Sequence, residues 1–173
     1  MKKILIIVIV AIGFFFTSCD QDPITGTPNY SDVTWYASNA LKVTTPTYTP
    51  APTQIVAGKA ISIYDLSQGA LTHEWKISTG ASFLLPGFKN ASGTTGTVND
   101  LTPYIDASKG LSTTDTTVFI LFPTVGDYTI TLRNTFKEKV TYNGSIPVDA
   151  VLIDGVWVFE QVFQIKAVTT IVP

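Results

Sequence analysis

The chain has 173 residues, eleven Lys and Arg against thirteen Asp and Glu, and a formal charge of −2. With one arginine (Arg133) and no cluster of lysines it offers no nucleic-acid surface, because phosphate binding depends on grouped cations. One cysteine cannot form an internal disulfide and one histidine (His73) cannot build a histidine zinc site, so the core must rest on apolar burial, and neither a metal nor a cofactor is expected.

In chain order, the first element is a leader. Lys2 and Lys3 precede a 13-residue apolar run, Ile4 to Phe16, and Thr17-Ser18-Cys19 follows it. The run falls short of the roughly 20 apolar residues a membrane span wants. A charged start, a short apolar middle and small residues at a cut read as an export signal. With Cys19 at the cut, the leader resembles a bacterial lipoprotein signal, although Phe16 stands where such signals usually carry Leu. The resemblance implies that residues 1–18 are removed and that Cys19 is lipidated. It also implies a location at the bacterial outer membrane, with Asp20 and Asp22 resembling the surface-export signal of Bacteroidetes lipoproteins. The mature chain then has 155 residues, enough for one domain, with nine basic and thirteen acidic side chains, net −4.

Residues 19–53 read as a tether. Val43 to Thr53 holds five Thr and three Pro, and proline favours an extended, semi-rigid chain over a central strand. Trp35 and Tyr36 interrupt it, either as an extra edge strand or as exposed binding rings.

Short alternating strands follow over 54–173. Ala60 to Asp65 and Leu71 to Ser78 have period two, the second placing Leu71, His73, Trp75 and Ile77 on one side. Ser82 to Leu85 is a short further strand, and the Gly-, Ser-, Thr- and Asn-rich stretch at about 86–114 is a long insertion. Thr117 to Phe122 is nearly all apolar, and Asp127 to Arg133 alternates cleanly after Gly126. An extra hairpin at about 148–159 turns at Asp154-Gly155, a pair that tolerates the positive φ of two-residue turns, and Gln161 to Val168 is the last strand. The fold class is all-β.

The landmarks fit an immunoglobulin-like β-sandwich, with Trp75 buried on the third strand and Tyr128 opening the penultimate one. Ile61 or Ile63 and Ile130 stand where antibody domains carry a disulfide, each worth about 1.5–3 kcal/mol when buried. More narrowly, Ala57-Gly58-Lys59-Ala60-Ile61-Ser62-Ile63, Trp75 and the run Phe122 to Leu132 resemble the PKD domain. In that reading Gly126 permits the reversal, Tyr128 sends its hydroxyl to backbone, and the alternation fills the core. Trp75 is not followed by the Gly-Asp-Gly turn usual in PKD domains. The resemblance implies an accessory surface lipoprotein of a glycan-uptake system; the rival reading is a structural or protein-interaction module of an outer-membrane complex.

Catalytic motifs are scarce. His73 beside Trp75 reads as a packing residue, and no Ser-His-Asp motif is present. Asp100, Asp106 and Asp115 share the insertion, at spacings that fit no calcium loop, and a glycosidase pair among them is less expected still. No catalysis is expected. Binding is argued from aromatics: sugars stack flat C–H faces on exposed rings, and Trp35, Tyr36, Phe88, Tyr104 and Trp157 lie in the tether, the insertion or the added hairpin. The expected partners are a membrane, through lipid on Cys19, and a polysaccharide or outer-membrane transport proteins.

Overall fold

The computed structural model describes residues 31–91 and 99–171, so the leader, Cys19, the two acids after it and part of the insertion lie outside the described residues. Alternating apolar side chains give strands and no α-helix forms among the described residues. One sheet joins β1 (Trp35–Ala37), β3 (Ala60–Asp65), β7 (Thr117–Leu121) and β5 (Ser82–Phe83), in that order. The other runs β11 (Val151–Ile153), β12 (Val156–Val168), β8 (Gly126–Phe136), β4 (Ala70–Ile77) and β6 (Ser112–Thr113). β2 (Thr53–Val56) pairs in parallel with the end of β12, and β9 (Thr141–Tyr142) with β10 (Val148–Asp149) forms a small ribbon.

The period of two explains how the sheets close over one core. Ile61 and Ile63 on β3 and Val118 and Ile120 on β7 point inward, to meet Trp75, Ile130, Leu132 and Phe163 from the other sheet. Ile61, Ile63, Ile130 and Trp75 are all fully buried, as expected of landmarks. Leu71 is not: a register irregularity between Ala70 and Thr72 breaks the alternation, and Leu71 is 58% exposed. The hairpin turns where expected, with Asp154 at φ 48° and Gly155 at φ 84°.

Two expectations are corrected. Residues 32–53 do not stand off as a tether. Val33 and Pro50 are buried, β1 adds an edge to β3, and Thr53 Oγ1 donates to the Ala40 carbonyl at 2.8 Å. The sandwich therefore begins near Asp32 rather than at residue 54. Gly126 is not needed for a left-handed turn either; a Cβ there would meet the Tyr128 ring at 3.7 Å, ordinary contact.

Tyr128 behaves as expected. Its ring is buried edge-on to Phe122, and its hydroxyl donates to the Thr124 carbonyl at 2.9 Å. Tyr128→Phe removes that bond and keeps the ring, so a loss of about 1 kcal/mol is expected in urea unfolding.

Candidate functional site

Outward positions on β3 and β7 are Ala60, Ser62 and Tyr64 facing Leu121, Phe119 and Thr117. Part of this outer face is covered. The insertion folds back so that Leu101 joins Leu84, Ala60 and Leu121, with Phe88 and Ile105 beside them. Asn90 acts as a substitute strand: its Oδ1 accepts from the Ala60 amide at 2.9 Å and its Nδ2 donates to the Ala60 carbonyl at 2.7 Å.

Rings run from the uncovered part onto the insertion. Tyr36 lies opposite Tyr64 across β1 and β3, centroids 6.2 Å apart. Phe119 is the diagonal neighbour of Tyr64 on the same face, through its pairing with Ser62. Phe88 meets Phe119 edge-on at 5.4 Å and Tyr104 at 6.3 Å. Tyr104 stands beyond β5, where Leu85 donates to its carbonyl. The row thus crosses the whole sheet, about 19 Å at four strand spacings. Tyr36 is 61% exposed, Tyr64 37% and Tyr104 36%.

The Tyr104 end of the row meets a polar cleft. A second cleft of about 330 Å³, by Ser38 and Asn39 at the Ala60 end of β3, is lined mainly by apolar side chains including Ile55, Val56 and Ile171, and no ring of the row lines it. Ser38 Oγ accepts from the Ser62 amide and donates to Asn39 Oδ1. Beside Tyr104, a cleft of about 270 Å³ is lined by Gly87, Lys89, Asn99, Asp100 and Leu101. Hydrogen bonds from the Thr102 side chain, then from its amide, hold the Asp100 carboxyl below the usual carboxylate range. Asp100 is therefore an anionic acceptor at neutral pH. Rings leading to the donors and acceptors of this cleft suit a ligand that is apolar on its faces and hydroxylated at its edges.

Of the five rings singled out in the sequence, Tyr36, Phe88 and Tyr104 join this row. The two tryptophans do not. Trp35 alternates with Tyr36 and turns inward, stacked on Tyr142 at 4.3 Å and edge-on to Phe163 at 5.1 Å. Trp157 packs against the main core opposite Phe136. Tyr64 was missed; its outward position in an alternating strand is the signal that could have found it.

The polar residues gather elsewhere. His73 Nδ1 lies 2.9 Å from Asp65 Oδ2, and its Nε2 faces the Thr114 carbonyl. Asn134 Nδ2 donates to Asp65 Oδ2 and to Ser67 Oγ, at 2.9 and 3.0 Å. Asp65, Ser67 and His73 thus share one cleft, a set with the composition of a hydrolytic triad. The geometry is not that of one: a general base needs a ring nitrogen facing the nucleophile, and here a carbonyl occupies that place.

Of the three insertion acids, Asp106 and Asp115 converge, but on an ammonium. Lys109 Nζ is 3.6 Å from Asp106 and 2.5 Å from Asp115. The Lys109 hydrogen bond holds the Asp115 carboxyl below its ordinary range, and Ser108 does so for Asp106. Among the described residues no three His, Cys, Asp or Glu side chains come together as a metal would require. No protein-family model matches the chain, and no curated protein matches it.

Proposed function

We propose that this chain is a non-catalytic lipoprotein of a bacterial outer membrane, held by lipid on Cys19 and facing the cell exterior, whose immunoglobulin-like domain of the PKD type captures glycan for an uptake system. The observation that carries the glycan reading is the row Tyr36–Tyr64–Phe119–Phe88–Tyr104 with a polar cleft at its Tyr104 end. Its length suits an oligosaccharide better than a single sugar. The strand order supports the immunoglobulin-like reading: β1-β3-β7-β5 in one sheet, β12-β8-β4 in the other, and β2 crossing to pair with the last strand. The Tyr128 hydroxyl bonded to backbone four residues upstream is a further feature of that architecture. The non-catalytic reading is supported by the one histidine, whose two ring nitrogens are both engaged with structural partners and so not placed to act as a general base.

Tyr36→Ala, Tyr64→Ala and Tyr104→Ala together are expected to abolish retention on immobilised polysaccharides while leaving the chain folded, with a modest fall in the unfolding midpoint because Tyr64 and Tyr104 are largely covered. Retention equal to that of the parent chain discards the row. Trp35→Ala is the contrasting variant: it removes a packed ring and is expected to lower stability without selectively removing binding. The anchor is checked separately. Cys19→Ala is expected to move the protein from the membrane fraction to the soluble one, and unchanged membrane retention removes the lipoprotein reading.

A second reading, a protein-interaction module, is favoured by one observation: β11 ends its sheet with three consecutive exposed apolar residues. Full retention of glycan binding by a β11 variant would separate that surface from the tyrosine row.

A further inference from the structure

The two ends of the sandwich differ. Trp157 pairs with Phe136, and Leu152 pairs with Trp157. The end of β8, the β11–β12 turn, the start of β4 and the β3–β4 connection therefore lie together. Eight large aliphatic side chains are exposed among the described residues, and five of them, Leu66, Leu71, Val151, Leu152 and Ile153, belong to this end. Single exposed apolar residues are ordinary, whereas a group gathered on one end marks a contact surface. Val151 to Ile153 are 46–61% exposed, on a strand whose outer edge is unpaired among the described residues.

The chain also enters here. Asp32 exchanges backbone hydrogen bonds with Gln68 at 2.9 and 3.1 Å, and the Leu66 amide donates to the Thr34 carbonyl at 3.0 Å. From Ser31 back to Cys19 there are twelve Cα steps, a reach of at most about 43 Å. β12 alone has thirteen residues, about 43 Å of strand. A bilayer holding Cys19 can thus meet the Phe136 end easily. Touching the opposite end, at Val125, would consume the whole reach.

We propose that the Phe136 end rests on the lipid surface, with the β11 side chains and Leu66 and Leu71 entering the boundary between headgroups and acyl chains. The inference rests on the anchored reading above. Charge at this end selects the lipid: Lys137 and Lys139 stand with Asp32, Glu138, Asp149 and Asp154, and Lys139 is paired with Asp149 at 2.6 Å. The balance is acidic, so anionic headgroups gain nothing, and contact is apolar, on zwitterionic lipid. Docked in this way, the strands stand along the membrane normal, with the Tyr36–Tyr64 end of the row near the headgroups, two residues from Leu66, and the rest of the row leading away from them toward Tyr104.

Lipid on Cys19 leaves no free thiol, so a label can be placed at will. In the full lipidated chain reconstituted into phosphatidylcholine vesicles, an environment-sensitive fluorophore on Leu152→Cys is expected to shift to the blue. Lipids carrying a quencher high on the acyl chain should quench it, while the same fluorophore on Val125→Cys should report water. If the chain sediments with the vesicles and both labels report water, docking is overturned and the anchor stands. If the chain does not sediment with them, the anchor falls and docking falls with it. Shielding at Leu152→Cys that needs no lipid and grows with protein concentration puts a second copy on β11, and overturns the proposal. So does shielding that requires phosphatidylglycerol and vanishes in high salt.

Discussion

Trp75→Ala is expected to cost about 3–5 kcal/mol, the range for truncating a large core aromatic, read as a fall in the urea midpoint at constant slope. Trp75 is fully buried on β4, opposite Leu132 of β8, and reaches the core that both sheets share. The Ile and Phe side chains of that core come from several strands in both sheets and cannot all collapse into the space left behind, so the cavity term adds to the lost transfer energy. Trp75→Phe separates packing from polarity. The Trp75 Nε1 is buried without a hydrogen-bond partner, so Phe removes an unpaired donor while keeping most of the ring. A large loss for Ala with a much smaller one for Phe identifies packing as the cause. A near-neutral Ala variant would place the core elsewhere and undo the sandwich on which the site is built.

How much of this was legible in the sequence follows from the range of each signal. Period-two alternation is local, and it located β3, β4 and β8 and turned Ile61, Ile63, Trp75 and Ile130 inward. Asp154-Gly155 named its turn because only certain residues accept its backbone angles. Threonine and proline over 43–53 report an extended chain but not what the chain lies against. That is decided by distant partners such as β3 and the end of β12. The insertion hid a second core for a similar reason: Leu101 is an isolated apolar residue in a polar stretch, joined to Leu84 only when the insertion folds onto Ala60 and Leu121. The candidate site was half legible. Large aromatics outside the core strands pointed to Tyr36, Phe88 and Tyr104, but size alone could not separate an outward ring from an inward one. Trp35 and Tyr36 are adjacent and take opposite faces, so one became core and the other surface.

His73 was read as a packing residue, and the partners it has explain why a polar side chain sits there. Asp65 closes β3 in one sheet, while His73 and Asn134 stand on β4 and β8 of the other, so three side chains tie the two layers at the end where the chain enters. Asp65→Ala is expected to cost about 3 kcal/mol. The Asp65 side chain is 4% exposed, and its removal strands two buried groups at about 1–3 kcal/mol each: His73 Nδ1 and one of the Asn134 contacts. Asn134 has little to spare, because it is fully buried and its Oδ1 already has no hydrogen-bond partner. Ser67 also loses the bond from its amide to Asp65 Oδ1, which loosens the connection carrying Gln68 and, through it, Asp32. Asp65→Asn keeps the shape and one acceptor oxygen but turns an amide group toward a donor, so an intermediate loss is expected. The order parent, Asn, Ala in unfolding free energy identifies the network as an inter-sheet tie. Equal stability for all three would mean that the sheets are held at this end by apolar packing, such as that of Trp35 on Phe159 and Phe163, and not by this network.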